Sequence, residues 1–427
     1  MNPFSQMAKA VILGLTFFIL GSPTLASCAE AAEKTTITFK HGVLFGNPKP
    51  FAELLRRFEK DNPGITVKDE TLPASSDEQH QFFAINFAAR SSDFDVISLD
   101  VIWVPEFANA GWIRDLTGLM PADEWRGFFS GDLEAVTYRG RYYAVPWYID
   151  AGLLYYRKDL LEKYGFPPPT TWYDLVRIAQ DITKKEGNIY GFVWQGKQYE
   201  GLVCNVLEYI WSNGGDVLID GKPVINRPQN VQALQFVRDL VATYKVSPPF
   251  VLTATEDPVR QVFGDGKAIF MRNWPYAWNI FQEEGSAVKG KVGIMPLPAF
   301  PGGQSAATLG GFQLGVNRYT RHPEASEKLV KFLASPEAQK ALALTIGYKP
   351  TRKAVYNDKE LIKEQPFTAS LFEIFLKVRP RPVTPYYMQI TQVLQTEFSA
   401  ALSGGRTPGD ALNSAQRQIT QILGGRQ

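Results

Sequence analysis

Four short segments of the sequence place aromatic side chains beside carboxylates, glycines or arginines. They span residues 146–152, 272–278, 309–312 and 379–387. An aromatic ring can pack against the C–H face of a sugar. A carboxylate accepts hydrogen bonds from neighbouring hydroxyls, arginine donates them in a fork, and glycine lets backbone amides approach a ligand. Together the segments favour a sugar-binding site, although any single aromatic residue is explained more simply by core packing.

The sequence lacks the common signatures of catalysis. It contains no P-loop, no G-x-S-x-G elbow, no H-E-x-x-H motif and no dinucleotide-binding fingerprint. Histidine occurs only as His41, His80 and His322, so a metal site built from several histidines is nearly excluded and no cofactor is expected. A pair of carboxylates for glycoside hydrolysis stays open, because any two acidic residues can meet in the folded chain.

The composition is typical of a soluble globular protein, with 45% hydrophobic and 21% charged residues. A chain of 427 residues is too long for one ordinary core, so two lobes or domains are expected. The formal net charge is +2 and the longest basic runs are pairs, which argues against nucleic acid as a partner.

Residues 1–27 are interpreted as a signal peptide of the lipoprotein type. Lys9 precedes an apolar run, residues 10–20, that is too short to span a bilayer. The sequence Leu-Ala-Ser-Cys follows, so Cys28 is predicted to carry a lipid anchor, with simple cleavage near residues 29–32 as the alternative. No later segment is long and apolar enough to cross a membrane. The other cysteine, Cys204, lies in an apolar run and is expected to be buried.

Local patterns predict how the mature chain begins. β-Branched and aromatic residues indicate strands at 36–39, 65–67 and 94–99. Between the first two strands, apolar positions on one face predict a helix at 50–60. This strand–helix–strand order is typical of a mostly parallel sheet.

Two helix starts are marked by capping residues. Thr171 is followed three residues later by Asp174, and Ser335 is followed directly by Pro336. Further helices are predicted at 231–244, 323–333 and 410–423. The C-terminal third of the chain is therefore expected to be largely helical.

The mixed segments also carry a family resemblance. The stretches concerned are residues 100–103, 148–161, 193–202, 272–276 and 305–311. They resemble the trehalose/maltose-binding proteins of ABC importers, which belong to the larger extracellular solute-binding protein family. The resemblance extends from about residue 36 to the C-terminus, which is essentially the whole mature chain.

The resemblance implies an α/β fold of the periplasmic-binding-protein type. Each of two lobes would hold a mixed sheet flanked by helices, with the ligand cleft between the lobes. The first lobe is expected to comprise residues 34–148 plus about 310–352, and the second about 149–309 plus 353–427.

The resemblance also implies which residues bind the ligand. The matching positions are Asp100, Tyr148, Asp150, Trp274, Gly311 and Arg381. Asp100 and Arg381 would bind hydroxyls, Trp274 would stack on the sugar, and Gly311 would offer its backbone. Tyr148 and Asp150 would lie at the first crossing between the lobes.

Three candidate ligand residues depart from the family pattern. Family members often have tryptophan where this chain has Phe312, a carboxylate near Asn47 and arginine near His80. The site is therefore expected to be recognisable but altered, which leaves the identity of the sugar open.

Each candidate also has a plain structural explanation. Asp100 could be a turn residue, Asp150 a helix cap and Trp274 part of the core. Arg381 could pair with a structural acid, and His80 lies in a polar segment that favours the protein surface.

The resemblance implies a monomeric binding component of an ABC importer at the periplasmic or cell-surface face of the cytoplasmic membrane. It would capture an α-linked disaccharide or glucoside (trehalose, maltose, sucrose or glucosylglycerol) and deliver it to permease subunits without chemistry. One alternative is an exported glycosidase or transglycosylase that uses Asp100 and Asp150. Another is a sugar-sensing receptor subunit.

Overall fold

The computed structural model describes residues 34–44 and 47–424. The predicted signal peptide and the predicted lipidation site, Cys28, lie outside the described residues. Within them, no helix combines the length and the apolar character that crossing a bilayer requires.

Strands and helices alternate along most of the chain. The strands are β1 (Thr35–Gly42), β2 (Ile65–Leu72), β3 (Val96–Asp100), β4 (Thr137–Tyr138), β5 (Arg141–Tyr142), β6 (Val145–Ala151), β7 (Leu153–Arg157), β8 (Tyr190–Val193), β9 (Leu218–Ile219), β10 (Lys222–Pro223), β11 (Ala268–Asn273), β12 (Val292–Met295), β13 (Leu309–Val316) and β14 (Lys349–Pro350).

The helices are α1 (Lys49–Asp61), α2 (Ser76–Ala88), α3 (Val104–Asn109), α4 (Ala122–Trp125), α5 (Ser130–Val136), α6 (Lys158–Tyr164), α7 (Trp172–Glu186), α8 (Glu200–Ser212), α9 (Pro228–Ala242), α10 (Glu256–Gly264), α11 (Ala277–Phe281), α12 (Pro323–Leu333), α13 (Pro336–Thr345), α14 (Lys359–Glu364), α15 (Thr368–Phe375), α16 (Tyr387–Leu402) and α17 (Pro408–Gly424). Short 3-10 helices occur at Thr117–Leu119, Pro249–Thr253 and Lys353–Asn357.

The larger sheet has six strands in the order β14-β6-β13-β3-β1-β2. β1 is parallel to β2 and β3, as the strand–helix–strand pattern predicts. β13 is antiparallel to β3 and β6, and β14 is antiparallel to β6. The sheet is therefore mixed, as the family resemblance implies, and not mostly parallel, as the first strands alone suggest. The expectation from the first strands misses this because the antiparallel strands come from later in the chain.

The second sheet has four strands in the order β12-β7-β11-β8. β11 is parallel to β8 and antiparallel to β7, so this sheet is mixed as well. A single residue, Gly152, separates β6 of the first sheet from β7 of the second. One nearly continuous extended segment therefore connects the two sheets. The residue limits expected for the two lobes stay a prediction.

Gly152 lies directly against a buried ion pair. Arg272 donates from Nε and Nη2 to the two carboxylate oxygens of Glu208, at 2.9 and 2.6 Å. A Cβ atom on Gly152 would overlap Glu208 Oε1 and lie 2.6 Å from Arg272 Nη2. The crossing strand can pass this ion pair only because residue 152 has no side chain.

Helix α8 is buried on every side, with all 13 of its residues inside the protein. It packs against α9 and α16. Its free cysteine, Cys204, is buried, which confirms the expectation from the apolar run around it.

The two predicted helix starts are confirmed. Thr171 Oγ1 accepts a hydrogen bond from the N–H of Asp174 at 3.0 Å and donates one to Asp174 Oδ2 at 2.7 Å. Ser335 Oγ accepts from the N–H of Ala338 at 3.2 Å, and Pro336 is the first residue of α13. Such caps satisfy backbone donors that the first helical turn leaves unpaired.

Candidate functional site

A cavity of about 340 Å³ lies where the two sheets approach each other. Its wall includes residues of β3, β6 and β13, the segment after β11, and the first residues of α2, α8 and α10. The candidate residues that line it are Asp100, Tyr148, Asp150, Trp274, Gly311, Phe312 and Arg381. Residues far apart in the sequence are thus brought together around one space.

Asn47 and His80 are not among the residues that line the cavity. Asn47 is exposed, and its Oδ1 accepts a hydrogen bond from the N–H of Lys49 at 3.1 Å. His80 lies on α2 with Nε2 2.8 Å from Glu106 Oε2, and its ring packs against Trp103. A ligand contact by either residue stays a prediction.

Asp100 ends β3, and protein donors already occupy its carboxylate. Its Oδ2 accepts from Ser76 Oγ at 2.8 Å. Its Oδ1 accepts from the N–H of Ile102 and from Arg381 Nη2, both at 3.3 Å. These bonds fix the direction of the carboxylate, and a carboxylate has lone pairs left for further donors.

The Asp150 carboxylate is placed differently. It lines the cavity from β6, and no described residue donates a hydrogen bond to it. The structural alternative, a helix cap, does not apply, because Asp150 lies within a strand. Its oxygens are therefore available for a ligand that brings its own donors.

The charge state of Asp150 depends on its surroundings. Burial raises the pKa of its carboxyl group to about 7, and the positive charges of Lys349 and Arg272 oppose the rise. Lys349 lies on the neighbouring strand β14, and burial lowers the pKa of its amino group to about 7. A change of pH near neutrality therefore changes the charge at the cavity wall.

We expect ligand affinity to rise with pH. A protonated carboxyl accepts fewer hydrogen bonds than a carboxylate. Because the pKa is raised to about 7, the carboxylate form is lost as the pH falls below that value. Binding should be about tenfold weaker at pH 6 than at pH 8. Titration calorimetry at both pH values checks this, with Asp150→Asn as the control. Equal affinities of the native protein at the two values would contradict it.

Trp274 offers an aromatic surface that is braced from behind. The guanidinium carbon of Arg272 lies 3.9 Å from the centre of its ring, and Arg272 is itself held by Glu208. The indole Nε1 donates to Glu256 Oε1 at 3.3 Å. A Cβ atom on Gly310 would lie 2.9 Å from the Trp274 ring and 3.2 Å from the Asp150 Cβ, so the aromatic ring and the carboxylate are neighbours.

Gly311 lets β13 come close to β6. Its φ is +104°, and a Cβ atom there would overlap the carbonyl oxygen of Tyr148. The next residue, Phe312, lies opposite both Asp100 and Tyr148 in the sheet. The rings of Phe312 and Tyr148 stack with centres 5.6 Å apart, and Tyr148 stacks on Tyr348 at 4.0 Å. This end of the cavity is therefore an aromatic wall.

Several lining residues are missed by reasoning from the sequence. They are His41, Ser76, Lys197, Tyr199, Glu200, Glu256, Tyr276 and Tyr348. For four of them a signal exists, because Lys197, Tyr199, Glu200 and Tyr276 lie in segments that carry the family resemblance. For the others, only the tertiary fold brings them to the site. Among the described residues, no group of three His, Cys, Asp or Glu side chains is arranged to hold a metal ion.

Residues 46–340 match the family described as bacterial extracellular solute-binding protein. The chain belongs to this family. A probable ABC transporter-binding protein of Deinococcus radiodurans is 38% identical to this solute-binding protein over 419 residues, which cover 95% of this chain and 98% of the relative. The family resemblance inferred from the sequence is thereby confirmed.

Solved structures of other solute-binding proteins share the fold. Maltose-bound MalE3 of T. maritima is 45% identical, with a TM-score of 0.86, and covers 90% of this chain and 99% of its own. A solute-binding protein of an ABC transporter from Thermotoga lettingae, bound to α-D-tagatose, is 27% identical, with a TM-score of 0.81 and coverage of 91% and 100%. The predicted two-lobed fold of the periplasmic-binding-protein type is confirmed.

Proposed function

We propose that this protein is the sugar-binding component of an ABC importer and that its ligand is a short α-linked glucoside. It captures the sugar in the cavity and delivers it to permease subunits without changing it. The observation that carries the proposal is the Asp150 carboxylate, which faces the cavity beside Trp274 and receives no hydrogen bond from the described residues.

The chemistry of the wall supports a polyhydroxylated ligand. Carboxylates accept hydrogen bonds from vicinal hydroxyls, and aromatic rings cover the apolar C–H faces of a pyranose. Asp100 and Asp150 supply the acceptors, while Trp274 and Phe312 supply the rings. This pairing of acceptors and rings suits a sugar better than it suits a peptide or a flat apolar compound.

The size of the cavity supports a short ligand. Sites for small molecules have volumes of roughly 300–1,000 Å³. A cavity of about 340 Å³ lies near the lower end of that range. It suits trehalose, maltose, sucrose or glucosylglycerol better than a long oligosaccharide. The maltose found in the relative at 45% identity agrees with an α-glucoside.

Phe312 is proposed to tune which sugar is accepted. Phenylalanine has a smaller ring than tryptophan and lacks the indole N–H donor. Phe312→Trp should change the order of affinities across a panel of α-glucosides by about tenfold for at least one sugar. Calorimetry with the panel, together with a melting curve, checks this. If the order is unchanged and only stability falls, by about 1–3 kcal/mol as in an overfilled core, Phe312 has a structural role alone.

The location of the protein is part of the proposal. The family is extracellular, which implies an exported protein. We propose that Cys28 is acylated and holds the protein, as a monomer, at the outer face of the cytoplasmic membrane. Two or more acyl chains give stable anchoring, whereas one chain binds only marginally.

A glycosidase is the alternative with one observation in its favour. The pKa of Asp150 is raised by burial, as in a general acid, and Asp100 is a second carboxylate in the same cavity. Against it, the Asp100 carboxylate already accepts hydrogen bonds from Arg381 and Ser76, which lowers its reactivity as a nucleophile. Prolonged incubation with labelled maltose and trehalose separates the two functions, because only an enzyme releases glucose.

A calorimetric panel tests the proposal directly. Trehalose, maltose, sucrose and glucosylglycerol are titrated into the mature protein, with a β-linked disaccharide as the matched control. We expect one α-glucoside to bind at least tenfold more tightly than the β-linked control. Binding of none of the α-glucosides would overturn the proposed ligand class. Uptake measured after deletion of the gene separates an importer component from a sensor, since a sensor leaves uptake intact.

A further inference from the structure

Arg381 lies between two carboxylates that belong to different parts of the fold. Its Nη1 donates to Glu200 Oε1 at 2.7 Å, and its Nη2 contacts Asp100 Oδ1 at 3.3 Å. The same Nη2 donates to the carbonyl oxygen of Leu309 at 3.2 Å. The Arg381 side chain is only 3% exposed. Arg381 is therefore fixed mainly by the short bond to Glu200 at the start of α8.

Glu200 is held in turn by helix α16. Its Oε1 also accepts from the hydroxyl of Tyr387 at 2.7 Å, and its Oε2 accepts from Thr391 Oγ1. Tyr387 and Thr391 are buried and are not among the residues that line the cavity. Burial raises the pKa of Glu200, and the charge of Arg381 opposes that rise.

We propose that Glu200 is a positioning residue of the sugar site. It fixes the guanidinium of Arg381 through a strong, short bond and thereby keeps the remaining lone pairs of the Asp100 carboxylate available for ligand hydroxyls. The proposal rests on the proposed function, because Asp100 is placed there as an acceptor of ligand hydroxyls. The proposal adds Glu200 as a residue that changes ligand affinity through the position of the Arg381 side chain.

The physical reason is competition between two acids for one cation. With Glu200 ionised, the charge of Arg381 is balanced at Nη1 and its contact with Asp100 stays long. Without that charge, Asp100 is the carboxylate that remains beside the guanidinium. Arg381 then pairs with Asp100 in a bidentate arrangement, with two guanidinium N–H groups donating to the two carboxylate oxygens, as arginine and carboxylate prefer. The guanidinium would then take further lone pairs of the Asp100 oxygens, beyond those that Ser76 and Ile102 already use, and a ligand hydroxyl would have to displace a charged donor.

The test begins with Glu200→Gln, which keeps the shape of the side chain and removes its charge. We expect the Kd for maltose, used as the probe, to rise about tenfold. The matched control is Glu397→Gln. Glu397 lies on α16, is buried, and pairs with Arg406 at 2.8 Å. The control should change the Kd by less than about twofold, because Glu397 does not line the cavity.

A double-mutant cycle shows whether Glu200 acts through Arg381. In an Arg381→Lys background, Glu200→Gln should add little to the loss of affinity. Additive losses from the two changes would overturn the proposal, since independent structural defects add. Thr391→Val removes one bond to Glu200 and keeps the charge, so it serves if Glu200→Gln does not fold. It should raise the Kd about threefold.

A measurement without sugar separates this proposal from the proposed function. Guanidinium N–H signals of Arg381 in nitrogen-15 NMR spectra, assigned by comparison with Arg381→Lys, should be sharp in the native protein and in Glu397→Gln. They should broaden or shift in Glu200→Gln. Unchanged Arg381 signals would overturn the positioning role whether or not maltose binds. Failure of the native protein to bind any sugar of the panel would instead overturn the proposed function.

Discussion

Replacing Asp150 with alanine should abolish sugar binding while the protein stays folded. The Asp150 carboxylate faces the cavity and has no hydrogen bond from the described residues, so its bonding capacity is open to a ligand. A hydrogen bond to a charged group contributes about 1.5–3 kcal/mol. Losing two such bonds should weaken binding roughly a hundredfold or more. Titration calorimetry with the best ligand of the panel measures the loss.

Melting curves of the same samples establish that Asp150→Ala is folded. Asp181→Ala is a suitable control, because Asp181 lies on the surface of α7 in an exposed pair with Lys185 and should leave both affinity and melting temperature unchanged. An unchanged affinity of folded Asp150→Ala would contradict a ligand role for the carboxylate, and loss of the folded state would count against that role by indicating a structural one.

Gly152→Ala should strongly destabilise the protein. The new Cβ would overlap Glu208 Oε1 and press on Arg272 Nη2. Both side chains are buried, so the ion pair cannot move into solvent. Breaking a buried ion pair costs about 3–5 kcal/mol. Urea unfolding should therefore show a loss of about 3 kcal/mol or more in the free energy of unfolding.

Gly118→Ala is the matched control for this change. A Cβ atom on Gly118 would meet nothing within 4 Å, so the expected effect on stability is small. The change at Gly152 should also disturb the candidate site, because Arg272 packs against the Trp274 ring that lines the cavity. If Gly152→Ala unfolds at the same urea concentration as the native protein, the ion pair can rearrange freely and the crossing is not constrained by it.

Features that depend on a few neighbouring residues could be predicted from the sequence. The Thr171 and Ser335 caps need only the next three residues, and the helix bounds Pro323–Leu333 follow from local periodicity. The first parallel strands are predicted for the same reason. The antiparallel position of β13 between β3 and β6 could not be predicted from neighbouring residues, because it depends on pairing between distant segments.

The residues of the candidate site also fall into those that local sequence indicates and those that depend on distant contacts. Asp150 and Trp274 could be selected because aromatic, acidic and glycine residues cluster locally around them. The role of Glu200 could not, because its bond to Arg381 joins positions that are 181 residues apart. The bond between Arg381 and Asp100 spans 281 residues. Asn47 and His80 are candidates only because family members often have a carboxylate near the first and an arginine near the second, and the fold places neither in the cavity wall.

The complete burial of α8 has a consequence for how the protein can evolve. Every one of its 13 residues is packed on all sides, so most substitutions there create a void or a clash. Glu200 and the other residues of α8 that line the cavity are therefore expected to tolerate few substitutions. Descendants that acquire a new ligand would have to change the opposite wall, where Phe312 is only partly buried. Related importers with different sugars are therefore expected to differ in sequence mainly in β13 and the loops near it, while the sequence of α8 stays similar among them.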